Sequence, residues 1–168
     1  MASEFNSVAV IGLGYIGLPT AATLAAAGIR VHGVDIDPKV VAELNQGRAH
    51  FSEPDLDMLV RCAVESGRLT AHEEPQPADA FVITVPTPIL KDKRPDMRFV
   101  EAAARGIAPV LEPGNLVVLE STSPVGTTDR LAGIIAAARP DLADGGELRF
   151  SLAYCPERIL PGQMVREL

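Results

Sequence analysis

The sequence predicts an α/β fold in a single domain, a parallel sheet with helices on both faces. Three observations carry that expectation. Short β-branched or apolar runs recur along the chain: VAVI at 8–11, RVHGVD at 30–35, AFVITV at 80–85 and LVVLE at 116–120. They are continuous rather than alternating, the pattern of strands buried on both faces. Between them lie segments with apolar residues at helical spacing, punctuated by Gly and Pro, and alternating strands and helices fold as βαβ units.

The 168 residues suffice for one sizeable core. With 47% hydrophobic and 22% charged residues the chain is globular rather than disordered. A net charge of −7 argues against nucleic acid or an anionic membrane as partner. The uncharged stretch 6–29 contains four glycines and Pro19, which suits a buried strand and small-residue helix better than a membrane span. The head MASEFNS lacks the basic region of a signal peptide. Cys62 and Cys155 form no paired motif and read as reduced thiols of a cytoplasmic protein. His32, His50 and His72 have no ligand spacing, so no metal is expected.

In order, residues 1–7 form a head and the domain is expected to run from 8 to 168. A first strand at 8–12 leads into a helix at about 15–27, ended by Gly28. A second strand covers 30–35. Asp37-Pro38 pairs an N-cap with proline at the first helical position and opens a short helix to about Gly47. Leu56, Leu59, Val60 and Ala63 mark a third helix, 55–66. A weak strand at 69–71 and a strong one at 80–85 follow. Asp96 caps a long helix with Phe99, Val100, Ala103, Ile107, Val110 and Leu111 on its inner face, kinked at Pro109. A strand at 116–120, a helix bearing Leu131, Ile134 and Ile135, a polar loop at 141–147 and a sixth strand at 148–154 complete the pattern.

The first turn is the most informative. Gly12, Gly14 and Gly17 follow a strand and open a helix, and Asp35 ends the next strand. In that context the glycines serve a tight turn, close backbone approach to a pyrophosphate, and close helix–strand packing. Asp35 would accept bonds from adenosine ribose hydroxyls and repel a 2′-phosphate, which favours NAD over NADP. A Rossmann-type doubly wound sheet of order 3-2-1-4-5-6 follows, with ligands at the carboxyl ends of its strands. That rim gathers residues 12–17, Asp35, 85–88, 120–128 and 154–158. Thr87, between two prolines, reads either as a cofactor contact or as a residue of a rigid turn. In the hydroxyl cluster 121–128, Thr127 or Thr128 suits N-capping, while Thr122 or Thr128 suits a place near a nicotinamide. Glu157 reads as a group that orients or deprotonates water, or as the surface partner of Arg158.

GLGYIGLPTA, VDID, VPTP, ESTSPVGTT and YCPERILPG, in this order, resemble the UDP-glucose / UDP-N-acetylmannosamine dehydrogenase family from residue 8 to the end. The segment CPERILPG resembles the N-acetylhexosamine branch, and Pro161 stands where the glucose branch tends to carry a second glutamate. The resemblance implies two-step, NAD-dependent oxidation of a sugar 6-hydroxyl to a carboxylate, with UDP-N-acetyl-D-mannosamine as substrate and a role in polysaccharide biosynthesis. It implies that Tyr15, Ile16, Asp35, Thr87 and Thr128 contact NAD. Thr122 would hold a hydrolytic water, Glu157 would assist proton transfer, and Arg158 and Ile159 would lie near the UDP-sugar. The family's nucleophilic cysteine belongs to a Gly-Cys-Gly segment that this chain does not contain, and Cys155 does not match it. The chain is therefore expected to be the cofactor domain of a longer enzyme, inactive alone, whose full-length form is a homodimer or higher. Competing readings are a UDP-glucose 6-dehydrogenase domain and a free-standing NAD-binding sensor. A third, a 3-hydroxyacid-type dehydrogenase domain, leaves YCPERILPG unexplained.

Overall fold

The computed structural model describes residues 5–144, 147–157, 162 and 164. Among them lie eight strands and five α-helices: β1 Ser7–Ile11, α1 Gly17–Ala26, β2 Arg30–Val34, α2 Pro38–Asn45, α3 Leu56–Glu65, β3 Leu69–His72, β4 Ala80–Ile83, α4 Arg98–Ile107, β5 Leu116–Leu119, α5 Thr127–Ala138, β6 Ala143–Asp144, β7 Glu147–Leu148 and β8 Ser151–Tyr154. Six strands form one parallel sheet in the order β3-β2-β1-β4-β5-β8. This is the doubly wound sheet that the sequence predicts, with β8 as its sixth strand.

Each sheet face has its own core. On one face Val8, Val10 and Val31 pack with Leu18, Ala21 and Ala22 of α1, Leu44 of α2, and Leu56 and Val60 of α3. On the other, Phe81, Ile83, Val117 and Leu119 meet Val100, Ala104 and Ile107 of α4 and Leu131 and Ile135 of α5. Alternate side chains of a strand leave opposite faces, so residues of both clusters interleave along β1 and β4.

Local differences from the sequence reading have physical reasons. The first strand takes in Ser7, because the Asp79 carboxylate accepts the amides of Asn6 and Ser7 at 2.8 Å each and the Ser7 hydroxyl at 2.9 Å. Pro109 ends α4 rather than bending it, and Ala108–Val110 tightens into a 3₁₀ turn. Residues 141–147 were expected to be a plain loop. They hold the β6–β7 hairpin, so the sixth sheet strand starts at Ser151 and not at Leu148. At the sheet edge, Asn45 closes β3 by pairing its side chain with both backbone groups of Ala71.

Candidate cofactor site

Because all six strands run the same way, their carboxyl ends share one rim. A cavity of about 640 Å³ opens there. The turn after β1 forms its floor. Gly12 is at φ +95°, a left-handed conformation that suits glycine. A Cβ on Gly17 would lie 1.8 Å from the Gly12 carbonyl oxygen, so only glycine lets α1 begin this close to the turn. A Cβ on Gly14 would meet nothing within 4 Å, so the backbone there faces open space.

Two side chains hold the turn. The Asp35 carboxylate accepts the Leu13 amide and the Asp37 amide, each at 2.9 Å. The Thr84 hydroxyl, one residue beyond β4, lies 2.7 Å from the Gly12 carbonyl and 3.0 Å from that of Ile11. Asp35 thus fixes the turn in addition to facing the cavity. Thr84 was not singled out in the sequence, where it reads as one more β-branched residue at a strand end.

The predicted residues separate by place. Gly12, Gly14, Tyr15, Ile16, Asp35, Thr87, Thr122 and Glu157 all line the cavity. Tyr15 is exposed, and its ring packs against Phe51 at a centroid distance of 4.6 Å. Gly17 lies behind the floor. Thr128 is half-buried in the first turn of α5 and is not part of the cavity wall. Arg158 and Ile159 lie outside the described residues. Farther along, the amides of Gly162 and Met164 are accepted by the two oxygens of Glu53, at 3.0 Å each.

The hydroxyl cluster divides by hydrogen bonding. The Ser121 hydroxyl donates to the Val85 carbonyl at 2.7 Å, Ser123 to Ser121 at 2.8 Å, and Thr127 to Pro124 at 2.8 Å. Gly126, at φ +87°, occupies the N-cap of α5, so neither Thr127 nor Thr128 caps it. Among the described residues the hydroxyls of Thr87 and Thr122 make no hydrogen bond and remain able to serve a ligand.

Three further wall features have no role assigned by the sequence, although Glu120 falls on the expected rim. Phe99 is 41% exposed and lines the cavity instead of the core. It does so beside Ala102, Ala103 and Gly106, a row of small residues that leaves a slot along α4. Glu120, directly after β5, is 9% exposed and lines the wall; burial, and after it the Glu157 carboxylate, push its pKa above the usual carboxylate range.

This cavity fits a dinucleotide. The first turn of α1 has no side-chain cap and no acidic residue, so its free amides can face a pyrophosphate. The open space at Gly14 gives the phosphates access to the backbone, and Asp35 stands at the adjacent strand end where a ribose would lie.

Comparison with known proteins agrees. Residues 6–168 match the family described as the UDP-glucose/GDP-mannose dehydrogenase family, NAD binding domain. An NDP-N-acetyl-D-galactosaminuronic acid dehydrogenase of Ralstonia nicotianae is 57% identical over 98% of this chain and 40% of its own length. A UDP-N-acetyl-D-mannosamine dehydrogenase of Yersinia pestis is 55% identical with the same coverage. The solved structure of a UDP-D-ManNAc dehydrogenase from Pyrococcus horikoshii superposes with a TM-score of 0.89 at 38% identity, covering 96% of this chain and 38% of that one. The chain thus spans about two fifths of the length of the relatives it matches.

Proposed function

We propose, since this chain belongs to the UDP-glucose/GDP-mannose dehydrogenase family as its NAD-binding domain, that it is the cofactor half of a nucleotide-sugar 6-dehydrogenase. In this reading the whole enzyme oxidises the C6 hydroxyl of a UDP-N-acetylhexosamine to a carboxylate in two NAD-dependent steps. The 168 residues alone bind NAD without turning over sugar. Bound NAD supplies the hydride acceptor.

The single observation behind this reading is the rim itself. The glycine turn, Asp35, Thr87, Thr122 and Glu157 come from five different strand ends and line one cavity. The amides of Gly14, Tyr15 and Ile16 would hold the pyrophosphate at the start of α1. Asp35 would hold the adenosine ribose. Thr87 and Thr122 would present their free hydroxyls to the cofactor and to a water. Glu157 would orient that water or take its proton. Thr128, in the first turn of α5, would touch NAD from outside the cavity wall. Arg158 and Ile159 would read the UDP-sugar, and the whole enzyme would be a cytoplasmic dimer or larger.

The N-acetylhexosamine assignment rests on CPERILPG and Pro161. It is supported by relatives named for N-acetyl-D-mannosamine and N-acetyl-D-galactosaminuronic acid at 52–57% identity. The test is NAD⁺ reduction by the full gene product with UDP-N-acetyl-D-mannosamine, UDP-N-acetyl-D-galactosamine and UDP-glucose in parallel. Two NADH per acetamido sugar are expected. Turnover of UDP-glucose alone would overturn the substrate assignment, and absence of NADH with every sugar would overturn the reaction.

A further inference from the structure

The cavity wall poses a charge problem. Its charged residues among those described are Asp35, Glu73, Glu120 and Glu157, all acidic, with no Lys or Arg. Yet the ligand brings a pyrophosphate. The amides at the start of α1 answer the phosphates, and Asp35 is tied to the Leu13 and Asp37 amides. Glu120 has no such compensation. It is more than nine-tenths buried, and among the described residues neither of its oxygens accepts a hydrogen bond. Oε2 is also shut off from solvent. A buried carboxylate without a partner is costly to the empty domain, and the neighbouring Glu157 adds repulsion.

Position says what would relieve that cost. Asp35 follows β2 and the glycine turn follows β1, while Glu120 follows β5, two strands farther along the sheet. A dinucleotide with its ribose at Asp35 and its phosphates at the turn extends its other end past β4 towards β5. That end is the nicotinamide. In NAD⁺ it is a cationic ring bearing a carboxamide N–H donor; in NADH the ring is neutral.

We propose that Glu120 makes this pocket selective for the oxidised cofactor, its buried carboxylate answering the positive charge of the nicotinamide ring. The proposal rests on the reading that the cavity holds NAD, and it gives Glu120 a role beyond lining the wall. Electrostatic attraction to the cation stabilises bound NAD⁺ and is absent for NADH, so Glu120 favours release of the reduced product. It acts through charge and is a specificity-determining residue rather than an acid or base.

The experiment compares the 168-residue chain with Glu120→Gln and Glu120→Asp by calorimetry with NAD⁺, NADH and ADP-ribose, alongside thermal melts without ligand. Glu120→Gln removes the charge and keeps the shape. It is expected to weaken NAD⁺ about tenfold, as the loss of one partly screened charge pair would, while NADH and ADP-ribose stay within about twofold. Glu120→Asp should retain the preference. Glu120→Gln should also melt no lower than the parent, because the carboxylate has no structural partner to lose. Equal weakening of NAD⁺ and NADH, or no change in either, overturns the proposal. So does a Glu120→Gln chain that melts lower or does not fold, since Glu120 would then be holding the domain together. If the parent chain binds neither NAD⁺ nor ADP-ribose, the NAD reading of the cavity fails with it. Binding by the parent with an unchanged NAD⁺/NADH ratio in Glu120→Gln overturns the charge role alone.

Discussion

Gly17 and Gly14 lie three residues apart in one motif, yet they should fail in opposite ways when changed to alanine. A Cβ at Gly17 falls 1.8 Å from the Gly12 oxygen and 2.5 Å from the Thr84 hydroxyl. Real contacts of that kind are not closer than 3.0 Å, so the start of α1 must retreat by about 1.2 Å. Backbone cannot yield as a side chain can. The helix that moves carries Leu18, Ala21, Ala22 and Ala25, all fully buried against the sheet. Overpacking in a closed core costs roughly 1–3 kcal/mol and occasionally more, and a backbone clash belongs at the upper end, about 3 kcal/mol. For a domain of this size that is a fall in Tm of roughly 6–12 °C. At Gly14 the added methyl meets nothing within 4 Å and the backbone is not left-handed. Stability should hold or rise by up to about 1 kcal/mol through the unfolded chain. The methyl points into the space that a phosphate would use, however, and NAD⁺ affinity should fall at least about tenfold by displacing backbone–phosphate contacts. Thermal melts and calorimetry on both variants decide the matter. A Gly17→Ala chain melting within 2 °C of the parent, at about 1 kcal/mol or less, would refute the packing argument. Unchanged NAD⁺ affinity in Gly14→Ala would refute the phosphate argument.

Three other outcomes follow from named contacts. Asp79→Ala releases the amides of Asn6 and Ser7 and should cost about 1 kcal/mol in urea titration, below the usual range for bonds to a charged group because the site is half-exposed. The Asn6 amide, then the Ser7 hydroxyl, hold the Asp79 pKa low; this contribution is present above the unfolded carboxyl value of about 4 and is lost as pH falls from there through the lowered folded value, so the gap between parent and variant should narrow steadily as the urea midpoints are followed below about pH 4. His32, whose Nδ1 lies 3.3 Å from His72 Nε2, has its pKa lowered by burial, then by His72 and Arg30. The unfolded chain therefore takes up protons that the folded one refuses, and stability should decline as pH drops below about 6.5, a slope that His32→Gln reduces if urea midpoints are followed from pH 7.5 to 5. NADP⁺ should bind at least about a hundredfold more weakly than NAD⁺, because its 2′-phosphate would face the Asp35 carboxylate; comparable dissociation constants would remove Asp35 from the ribose site.

What the sequence disclosed was whatever local spacing controls. The glycine triplet, Asp35 and the buried strand runs fix both strand order and rim, since parallel connections leave few topologies open. What stayed hidden depends on partners distant in the chain. Thr84 and the Gly12 carbonyl it touches are 72 residues apart, and nothing near Thr84 marks it as other than a strand residue. Phe99 reads in the sequence as one of the apolar residues on the inner face of α4, but it lies one helical step, about 100°, from the buried Val100, enough to carry its ring from the core to the cavity edge. Thr127 looked like a cap because it precedes an acidic turn. Gly126 takes that position because a left-handed φ there lets the Thr127 hydroxyl turn back to Pro124.

The hydroxyls and carboxylates of the rim can be divided by what they already hold. Thr84, Ser121, Ser123 and Thr127 each donate to a backbone carbonyl, and Asp35 accepts two backbone amides. These groups shape the loops whether or not a ligand is present, and their loss should register first as instability. Thr87, Thr122 and Glu120 make no side-chain hydrogen bond among the described residues, although all three line the cavity. Buried Glu120 and half-buried Thr87 are polar groups of a kind rarely left unpaired without a use, and the exposed Thr122 hydroxyl stands open to a ligand. Their loss should therefore register in binding and not in melting temperature. Asp35 belongs to both classes, because each carboxylate oxygen keeps a lone pair after accepting one amide. A change there should weaken the turn and the ribose contact together, which makes it a poor single probe of either. Thr122→Val is the cleaner one: a free hydroxyl is replaced by a methyl of similar size, the fold should keep its stability, and any loss of NAD⁺ affinity or turnover can be assigned to the hydroxyl itself.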